Sequence, residues 1–368
     1  MTTRLNRYPA FALTDLAAVL AILGVLLAIA LATLSEARRN ARLDEDIASL
    51  QRFGAATGAF AADNEDLLWG LSWQAGGVYQ MLQLDGNFAE VIPESDLEGG
   101  QLQTIHLIRL LGGRIGDQGM PQATGFIGQA NFNHLSLFEY LGKDPLSRWV
   151  MSAADKVKLD WQDDPVNNFD NGLWLPLQPD PIANNLRWPY SIGFRVVPAA
   201  WDYNQTELGN EFDTQRVYQG QTHAIYAVPA DADFYSRTLA DVVYPSGKVH
   251  MHDSHQRHFG PNIQYFGVRF DANHDGVDDH PRIPILSFDA SAAVRSTADS
   301  NPGWRPNIPS FPCMLFYYQP SAWEPAPLGF MLDLSIGQFY WTRGGLKGFD
   351  FGGLPLDTGQ PDPGECNL

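Results

Sequence analysis

Residues 16–66 read LAAVLAILGVLLAIALATLSEARRNARLDEDIASLQRFGAATGAFAADNED, and this stretch decides the fold of the chain. From Leu16 to Leu34 every residue is apolar or small except Thr33. An α-helix rises about 1.5 Å per residue, so this run reaches about 28 Å, close to the hydrocarbon thickness of a bilayer. The run therefore predicts a membrane-spanning helix over about residues 15–34.

The helical pattern continues beyond the apolar run. A cleaved secretory signal has a shorter apolar core and is followed by a break, whereas helix formers continue here to residue 66. Two glycines lower the helical propensity of this second half. We expect one helix of about fifty residues, half in lipid and half amphipathic. The residues at helical spacing that would face the protein are Leu43, Ile47, Leu50, Gly54, Gly58 and Ala61.

The composition places the rest of the chain among ordinary globular proteins. Of 368 residues, 45% are hydrophobic and 18% are charged, which excludes wholesale disorder. The formal net charge is −18, so the chain gains nothing from neutralising phosphates and we expect no nucleic-acid partner. Two cysteines are too few for four-cysteine zinc sites or cysteine-ligated iron–sulfur clusters, and their spacing excludes CxxC redox chemistry.

Beyond the helix, local patterns divide the chain into three regions. Residues 66–185 mix helical periodicity with glycine stops, as in LQTIHLIRLLGG at 102–113. Residues 186–348 contain short β-branched or aromatic runs bounded by turn residues, such as RIPILSFDA at 282–290. Residues 349–368 are rich in Gly and Pro and predict an irregular tail. The expected fold is α+β, with the long helix packed on an antiparallel sheet.

The residues before the helix resemble a known processing signal. The segment AFALTDL, residues 10–16, follows a short basic leader and precedes the apolar run. This pattern resembles the class III signal of type IV pilins and type II secretion pseudopilins. The resemblance implies that a prepilin peptidase removes residues 1–10 and that Phe11 becomes the N-methylated terminus. It also implies that residues 11–65 form a pilin-type helix, with other pilin or pseudopilin subunits as partners.

Three residues depart from the usual form of this signal, since Ala10 replaces Gly, Asp15 replaces Glu and Ala32 replaces Pro. Alanine before the cut is chemically close to glycine but could slow the peptidase. Asp15 has two interpretations: it lies among the headgroups or caps the helix, or it meets a positive charge inside an assembly. Placing a carboxylate at mid-bilayer costs roughly 2.5–3.5 kcal/mol of insertion free energy. The position of Asp15 at the end of the apolar run therefore matters.

A second resemblance covers more of the chain. Residues 60–76, 244–260 and 285–304 are similar to segments of large pilin-like proteins of planctomycete-type bacteria. The last of these contains FDA, which resembles their Phe-Asp-Gly turn between two strands, with Ala290 where glycine is usual. This resemblance implies little about what such proteins do.

Residues 271–279, DANHDGVDD, match the pattern of a calcium-binding loop. Alternate positions direct oxygen ligands to one point, and Gly276 allows the sharp turn. The twelfth position is Arg282 instead of the bidentate Glu, so the loop is no EF-hand. A structural Ca²⁺ is the favoured interpretation, and an acidic surface turn without metal is the alternative. The expected ligands are Asp271, Asn273, Asp275, Val277 and Asp279.

Four histidines crowd the short stretch HMHDSHQRH. The first two would share one face of a strand, which is how some zinc enzymes present their ligands. The order differs from the familiar metallo-hydrolase pattern because Asp253 follows the second histidine directly. Surface or packed histidines are the default interpretation, and metal catalysis is the alternative. The four are His250, His252, His255 and His258.

The sequence contains no motif for nucleophilic or nucleotide-dependent catalysis. There is no G-x-S-x-G, no P-loop and no dinucleotide fingerprint. We therefore predict no catalytic residues and no enzymatic activity. The competing class is a monotopic envelope enzyme or carbohydrate-binding protein, which the histidines and the ten Trp and thirteen Tyr could serve.

The pilin resemblance also bears on the two cysteines, Cys313 and Cys366. Many pilins have a disulfide near the C-terminus of the exported domain, so the resemblance implies a Cys313–Cys366 bond. In the chain-entropy model a loop of about fifty residues stabilises the fold by about 4 kcal/mol. Two unpaired thiols are the alternative.

The resemblance, together with the lack of a catalytic motif, implies a pilin-like structural subunit for a type IV pilus or a type II secretion pseudopilus. Its large head, compared with most major pilins, favours a minor or specialised subunit. The resemblance places it as a single pass in the inner membrane, with the head on the periplasmic side, and later in an extracellular filament. Charge alone leaves the orientation open, because basic residues lie both before and after the span. These are Arg4, Arg7, Arg38, Arg39 and Arg42.

Overall fold

The computed structural model describes most of the chain. The residues described are 13–144, 147–170, 190–202, 217–221, 223, 226–228, 232–234, 237–260, 263–269, 281–301, 303, 315–320, 324–325, 333–341 and 344–352. The α-helices are α1 Leu13–Asp63, α2 Asp96–Gly112, α3 Gly128–Asn131, α4 Lys156–Asp163 and α5 Pro165–Asp170. The strands are β1 Tyr79–Leu82, β2 Phe88–Val91, β3 Phe194–Val196, β4 Tyr218–Gln219, β5 Tyr226–Ala227, β6 Val249–Asp253, β7 His255–Gln256, β8 Gln264–Tyr265, β9 Val268–Arg269, β10 Arg282–Ser287, β11 Ala292–Ser296, β12 Leu315–Tyr318 and β13 Asp333–Ile336.

The helix α1 is unbroken over 51 residues and is therefore about 77 Å long. Between Leu16 and Leu34 its described side chains are exposed on every side, with Leu20 and Ile22 both 60% accessible. Among the described residues, α1 is the one helix long and apolar enough to cross a membrane. This confirms the long apolar N-terminal helix that the sequence predicts.

The second half of α1 is buried in the head, on a face that overlaps the predicted one. Leu50, Gly54 and Ala61 are buried as expected, whereas Gly58 is exposed. The sheet that packs on α1 determines which face of the helix is buried. Polar residues on that face are buried where they find hydrogen-bond partners. Thr57, for example, donates to the Phe53 carbonyl and accepts from the Trp69 indole. The buried face contains Asp46, Ser49, Leu50, Phe53, Gly54, Ala56, Thr57 and Ala61.

A four-stranded antiparallel sheet, in the order β11-β10-β6-β3, packs against this face. The side chains of β6 are buried on both of its faces, so it lies inside the protein. The Phe53 ring on α1 lies 6.4 Å from the Phe194 ring on β3, and both side chains are fully buried. Burying a side chain of this size stabilises a fold by about 1.5–3 kcal/mol. The predicted α+β architecture, a long helix on an antiparallel sheet, is confirmed.

Residues that follow α1 in the chain and precede the strands of the four-stranded sheet form a second layer around α2. The Ser95 hydroxyl accepts from the Glu98 amide at the start of α2, and Gly113 ends the helix in a left-handed conformation. The buried face of α2 places Ile105 and Ile108 in a second apolar cluster with Phe132. Smaller antiparallel sheets complete the head, with the strand orders β1-β2, β4-β5, β7-β8 and β12-β13-β9.

The described start of the predicted irregular tail is tied to the sheet. The buried Asp350 carboxylate accepts from Lys248 Nζ at 3.2 Å and from the Val249 amide at 2.7 Å. Ser300 and Phe351 form an isolated antiparallel bridge. Residues 349–352 therefore belong to the head.

The turn between β10 and β11 meets α1 at a glycine. The chain turns through Phe288, Asp289 and Ala290, as the Phe-Asp-Gly resemblance implies, and Ala290 adopts a left-handed φ of 65°. A left-handed conformation costs a non-glycine residue roughly 1–2 kcal/mol. A Cβ at Gly54 would lie 2.9 Å from Ala290 Cβ and 3.1 Å from its Cα. Gly54 therefore allows the helix and the turn to touch.

Two glycines on α1 provide a matched test of this contact. Gly54→Ala should destabilise the protein by about 1–3 kcal/mol because the added methyl group meets the Ala290 backbone. Gly58→Ala should stabilise it by about 0.5–1 kcal/mol, since a Cβ there meets nothing within 4 Å. Denaturant midpoints of the full chain in detergent measure both changes. Equal stabilisation by the two substitutions would contradict the close approach at Gly54.

Candidate functional site

Most of the site residues predicted from the sequence lie outside the described residues. Asp15 lies in the first turn of α1, where only its backbone is described. The processing site, the calcium loop and the cysteines are not described, so their roles stay predictions. They are Ala10, Phe11, Asp271, Asn273, Asp275, Val277, Asp279, Cys313 and Cys366.

The four clustered histidines are described, and all of them are buried. His250 packs between the Phe288 ring, 4.4 Å away and stacked, and the Trp69 ring, 5.5 Å away and tilted. His252, on the same strand β6, lies against the rings of Phe266 and Phe339. Both histidines are therefore packed in the interior, which is one of the two default expectations from the sequence. Within the described residues neither His250 nor His252 joins a group of side chains suited to hold a metal.

His255 has its own hydrogen-bond partners on β12 and beside it in the chain. Its Nε2 lies 3.0 Å from the Tyr318 hydroxyl, and its Nδ1 lies 2.8 Å from the Ser254 hydroxyl. The Tyr318 hydroxyl in turn donates to the Pro325 carbonyl at 2.8 Å. The Arg257 guanidinium also approaches Nδ1, at 3.3 Å. These contacts orient the ring within the head.

A buried polar cluster joins α1 to the head, and it is the candidate site. We call it the junction cluster; its members are Asp46, Ser152, Ala153, Asp155, Asp253, Arg257 and His258. The Asp46 carboxylate is at its centre and is fully buried. Oδ2 accepts from the Ser152 hydroxyl at 2.6 Å and from His258 Nε2 at 2.7 Å, and Oδ1 accepts from the Ala153 amide at 2.6 Å. One carboxylate therefore connects the helix to two distant parts of the chain.

The second half of the junction cluster is an arginine between two carboxylates. Arg257 donates through Nη2 to Asp155 at 3.0 Å and through Nε to Asp253 at 3.3 Å. Burial raises the pKa of Asp253, the Arg257 charge opposes this, and the nearby Asp46 charge adds to it. Burial alone would lower the pKa of Arg257, but Asp155 and Asp253 raise it above its ordinary value.

The geometry decides what the junction cluster can do. A carboxylate paired with an imidazole is a common acid–base couple, and Asp46 with His258 has that form. Both side chains are at most 1% accessible, however, so no substrate reaches them in this conformation. The hydrogen bonds instead fix the rotation of α1 against the head.

Comparison with known proteins assigns no family to the chain. No family model matches the chain, and neither curated proteins nor solved structures give a match.

Sequence reasoning did not find Asp46 or its partners. The only local signal is its spacing, since Asp46, Leu50 and Phe53 are four and three residues apart on one helix face. Acidic residues on helices are usually solvated, and Asp44 and Glu45 beside it are indeed exposed. The partners lie 106 to 212 residues away, so no local pattern shows them.

Asp46→Ala should destabilise the protein by about 3–5 kcal/mol, because it leaves the buried side chains of Ser152 and His258 and the half-buried Ala153 amide without their acceptor. Asp44→Ala is the matched control on the exposed face and should change stability by less than about 0.5 kcal/mol. Denaturant unfolding of both variants in detergent, followed by tryptophan fluorescence, measures the difference. Similar midpoints for the two variants would mean that the Asp46 contacts do not stabilise the junction.

Buried neutral histidines predict a loss of stability in mild acid. Burial lowers the pKa of His250 and of His134 to about 3, and the Lys158 charge contributes at His134. Above the unfolded pKa of about 6.5 these histidines are neutral in both states, so they cause no pH dependence. As pH falls from 6.5 towards 3, only the unfolded chain takes up their protons, and stability decreases.

The variant His250→Phe keeps a ring between Trp69 and Phe288 but cannot be protonated. Its stability should fall less steeply than that of the wild type between pH 6.5 and 4.5, by up to about 1.4 kcal/mol per pH unit. Unfolding midpoints at several pH values, compared with those at pH 7.5, measure the two slopes. Parallel slopes would show that His250 is not held neutral.

Proposed function

We propose that this chain is a structural subunit of a type IV pilus or a type II secretion pseudopilus, held in a membrane by α1 before it assembles. The observation that best supports this is that α1 consists of two different halves. Residues 16–34, the bare half, are apolar and their described side chains are exposed, whereas residues 46–61, the clamped half, pack against the head. Both halves belong to one unbroken helix. A membrane anchor that later becomes a filament core needs this combination.

The bare half of α1 restricts the environments in which it is stable. Leu23, Val25 and Leu26 are consecutive or nearly so along the helix, and each is more than half accessible. A helix that is apolar on every side is stable in lipid or inside a bundle of similar helices rather than in water. A bilayer provides the first environment and the centre of a filament provides the second. One sequence thus serves the subunit before and after assembly.

The clamped half supports the same proposal through its rigidity. In a filament the heads must repeat at fixed positions around the core, so each head must keep one orientation on its helix. The three hydrogen bonds to Asp46 and the contact at Gly54 fix that orientation in this chain. An enzyme that merely uses a membrane anchor has no such requirement.

The finer parts of the proposal follow the pilin resemblance. The head lies on the periplasmic side of the inner membrane, and the size of the head favours a minor or specialised subunit. A structural Ca²⁺ at residues 271–279 and a Cys313–Cys366 disulfide stabilise the exported head. A prepilin peptidase cuts after Ala10, which makes the amine of Phe11 the new terminus.

The new terminus gives Asp15 a partner. The Phe11 amine is a cation at the membrane face, one helical turn from Asp15. In a staggered bundle the amine of an incoming subunit approaches the Asp15 carboxylate of its neighbour, so neither charge is left alone in hydrocarbon. The low dielectric there strengthens the pair.

Asp15→Ala should leave membrane insertion and head folding intact but prevent assembly, because the incoming amine has no counter-charge. Asp15→Glu, the usual residue of the signal, should assemble at least as well as the wild type. Crosslinking and recovery of sheared filaments from cells expressing matched levels of each variant measure assembly. Intact mass of each variant checks that the chain begins at Phe11.

The two outcomes test different parts of the proposal. Normal assembly of Asp15→Ala would contradict the pairing of Asp15 with the incoming amine and leave the carboxylate as a helix cap, because the chain would still be a filament subunit. Failure of the wild type to multimerise, with its own peptidase and partner proteins present, would favour the anchored enzyme or carbohydrate-binding protein instead.

A further inference from the structure

Three side chains of the junction cluster meet closely enough to hold one metal ion. Asp46, Asp253 and His258 each place one ligand atom within 4.8 Å of the other two, and all three side chains are buried. They come from α1, from the end of β6 and from the segment after β7. A site of this kind would join three elements that are far apart in the sequence.

Two buried atoms in this group have no hydrogen-bond partner among the described residues. They are Asp253 Oδ2 and His258 Nδ1. An unpaired buried polar atom destabilises a fold, and more so when it carries charge. The other Asp253 oxygen, Oδ1, already accepts from Arg257 and from the His255 amide, so Oδ2 is the one left over. A cation bound by Asp253 would compensate for this cost.

The carboxylates of the junction cluster also favour a cation. Arg257 donates to Asp155 and to Asp253 Oδ1, while Asp253 Oδ2 faces no donor among the described residues. Buried carboxylates are stable when they are paired or bind a metal. A cation between Asp46 and Asp253 would pair with both.

The ligand set selects the class of ion. Calcium and magnesium prefer oxygen ligands alone, whereas zinc accepts imidazole nitrogen together with carboxylate oxygen. Tetrahedral zinc ligands at about 2.0–2.2 Å from the ion lie about 3.4 Å from each other. The present separations, 2.7 Å for His258 Nε2 to Asp46 Oδ2 and at most 4.8 Å for the others, bracket that value.

We propose that Asp46, Asp253 and His258 bind a zinc-class divalent cation that fastens α1 to the head. The ion binds His258 through Nε2, and the proton on that nitrogen moves to Nδ1, so that His258 remains a neutral imidazole. Its role is structural, because the site is closed to solvent. The inference does not rest on filament assembly and holds for any anchored head built on this helix.

The test uses the full chain in detergent, purified without a polyhistidine tag. Metal analysis should find about one zinc per chain, and dialysis against a chelator should remove it and lower the melting temperature. Zinc added alone should restore the melting temperature. X-ray absorption at the zinc edge should show nitrogen and oxygen neighbours.

Variants separate this site from other metal-binding residues. Asp253→Asn and His258→Gln should each lose the zinc and the rise in melting temperature. Asp44→Asn, exposed on α1, and the double variant Asp271→Ala/Asp275→Ala, in the calcium loop, should retain both. Sulfur neighbours at the zinc edge, or full zinc retention by His258→Gln, would overturn the proposal. The proposal would also be overturned if folded wild-type protein neither retains zinc nor changes its melting temperature when zinc is added. This outcome does not depend on the folding of any variant.

Discussion

The packing of α1 on the four-stranded sheet is the contact on which the rest of the structure depends. The two halves of this helix have different surroundings. Its first half exposes apolar side chains on every side, and its second half is covered by the head. Leu50 and Phe53 bring the apolar surface of α1 to the sheet, and both are fully buried. The sheet in turn needs the helix, because without it the inner faces of β6 and β10 would meet water.

Apolar packing alone would leave the position of α1 poorly defined. Hydrophobic contacts are not directional, so a helix shifted by one turn could still bury aliphatic and aromatic side chains. Asp46 removes that freedom, because its three short hydrogen bonds can form in only one position and rotation of the helix. A buried carboxylate adds little net stability, and its clearer effect here is on specificity. The junction cluster is thus the part of the interface that determines geometry.

The sequence predicted the features that follow from local patterns. The apolar run from Leu16 to Leu34 and the strand β10 each have a signal within a few residues, and the structure contains both. The turn at Ala290 was expected only from the resemblance to a Phe-Asp-Gly turn, and the chain does turn there. The buried face of α1 was predicted only in part, because Asp46 carries the signal of a solvated residue. The packing of His250 was given only as a default, since Trp69 and Phe288, which surround it, lie far away in the chain. Tertiary partners decide these positions, and a single sequence does not show them.

The unbroken course of α1 has a mechanical consequence. Tension applied along the apolar half of α1 passes through the helix into the head without a hinge, since the described helix has no break before Asp46. The load then acts parallel to the interface, across the Asp46 hydrogen bonds and the Leu50 and Phe53 side chains together. Contacts loaded in shear must fail together rather than one after another. All of these contacts therefore resist pulling on α1 at the same time, and the interface separates abruptly when the load exceeds their combined strength.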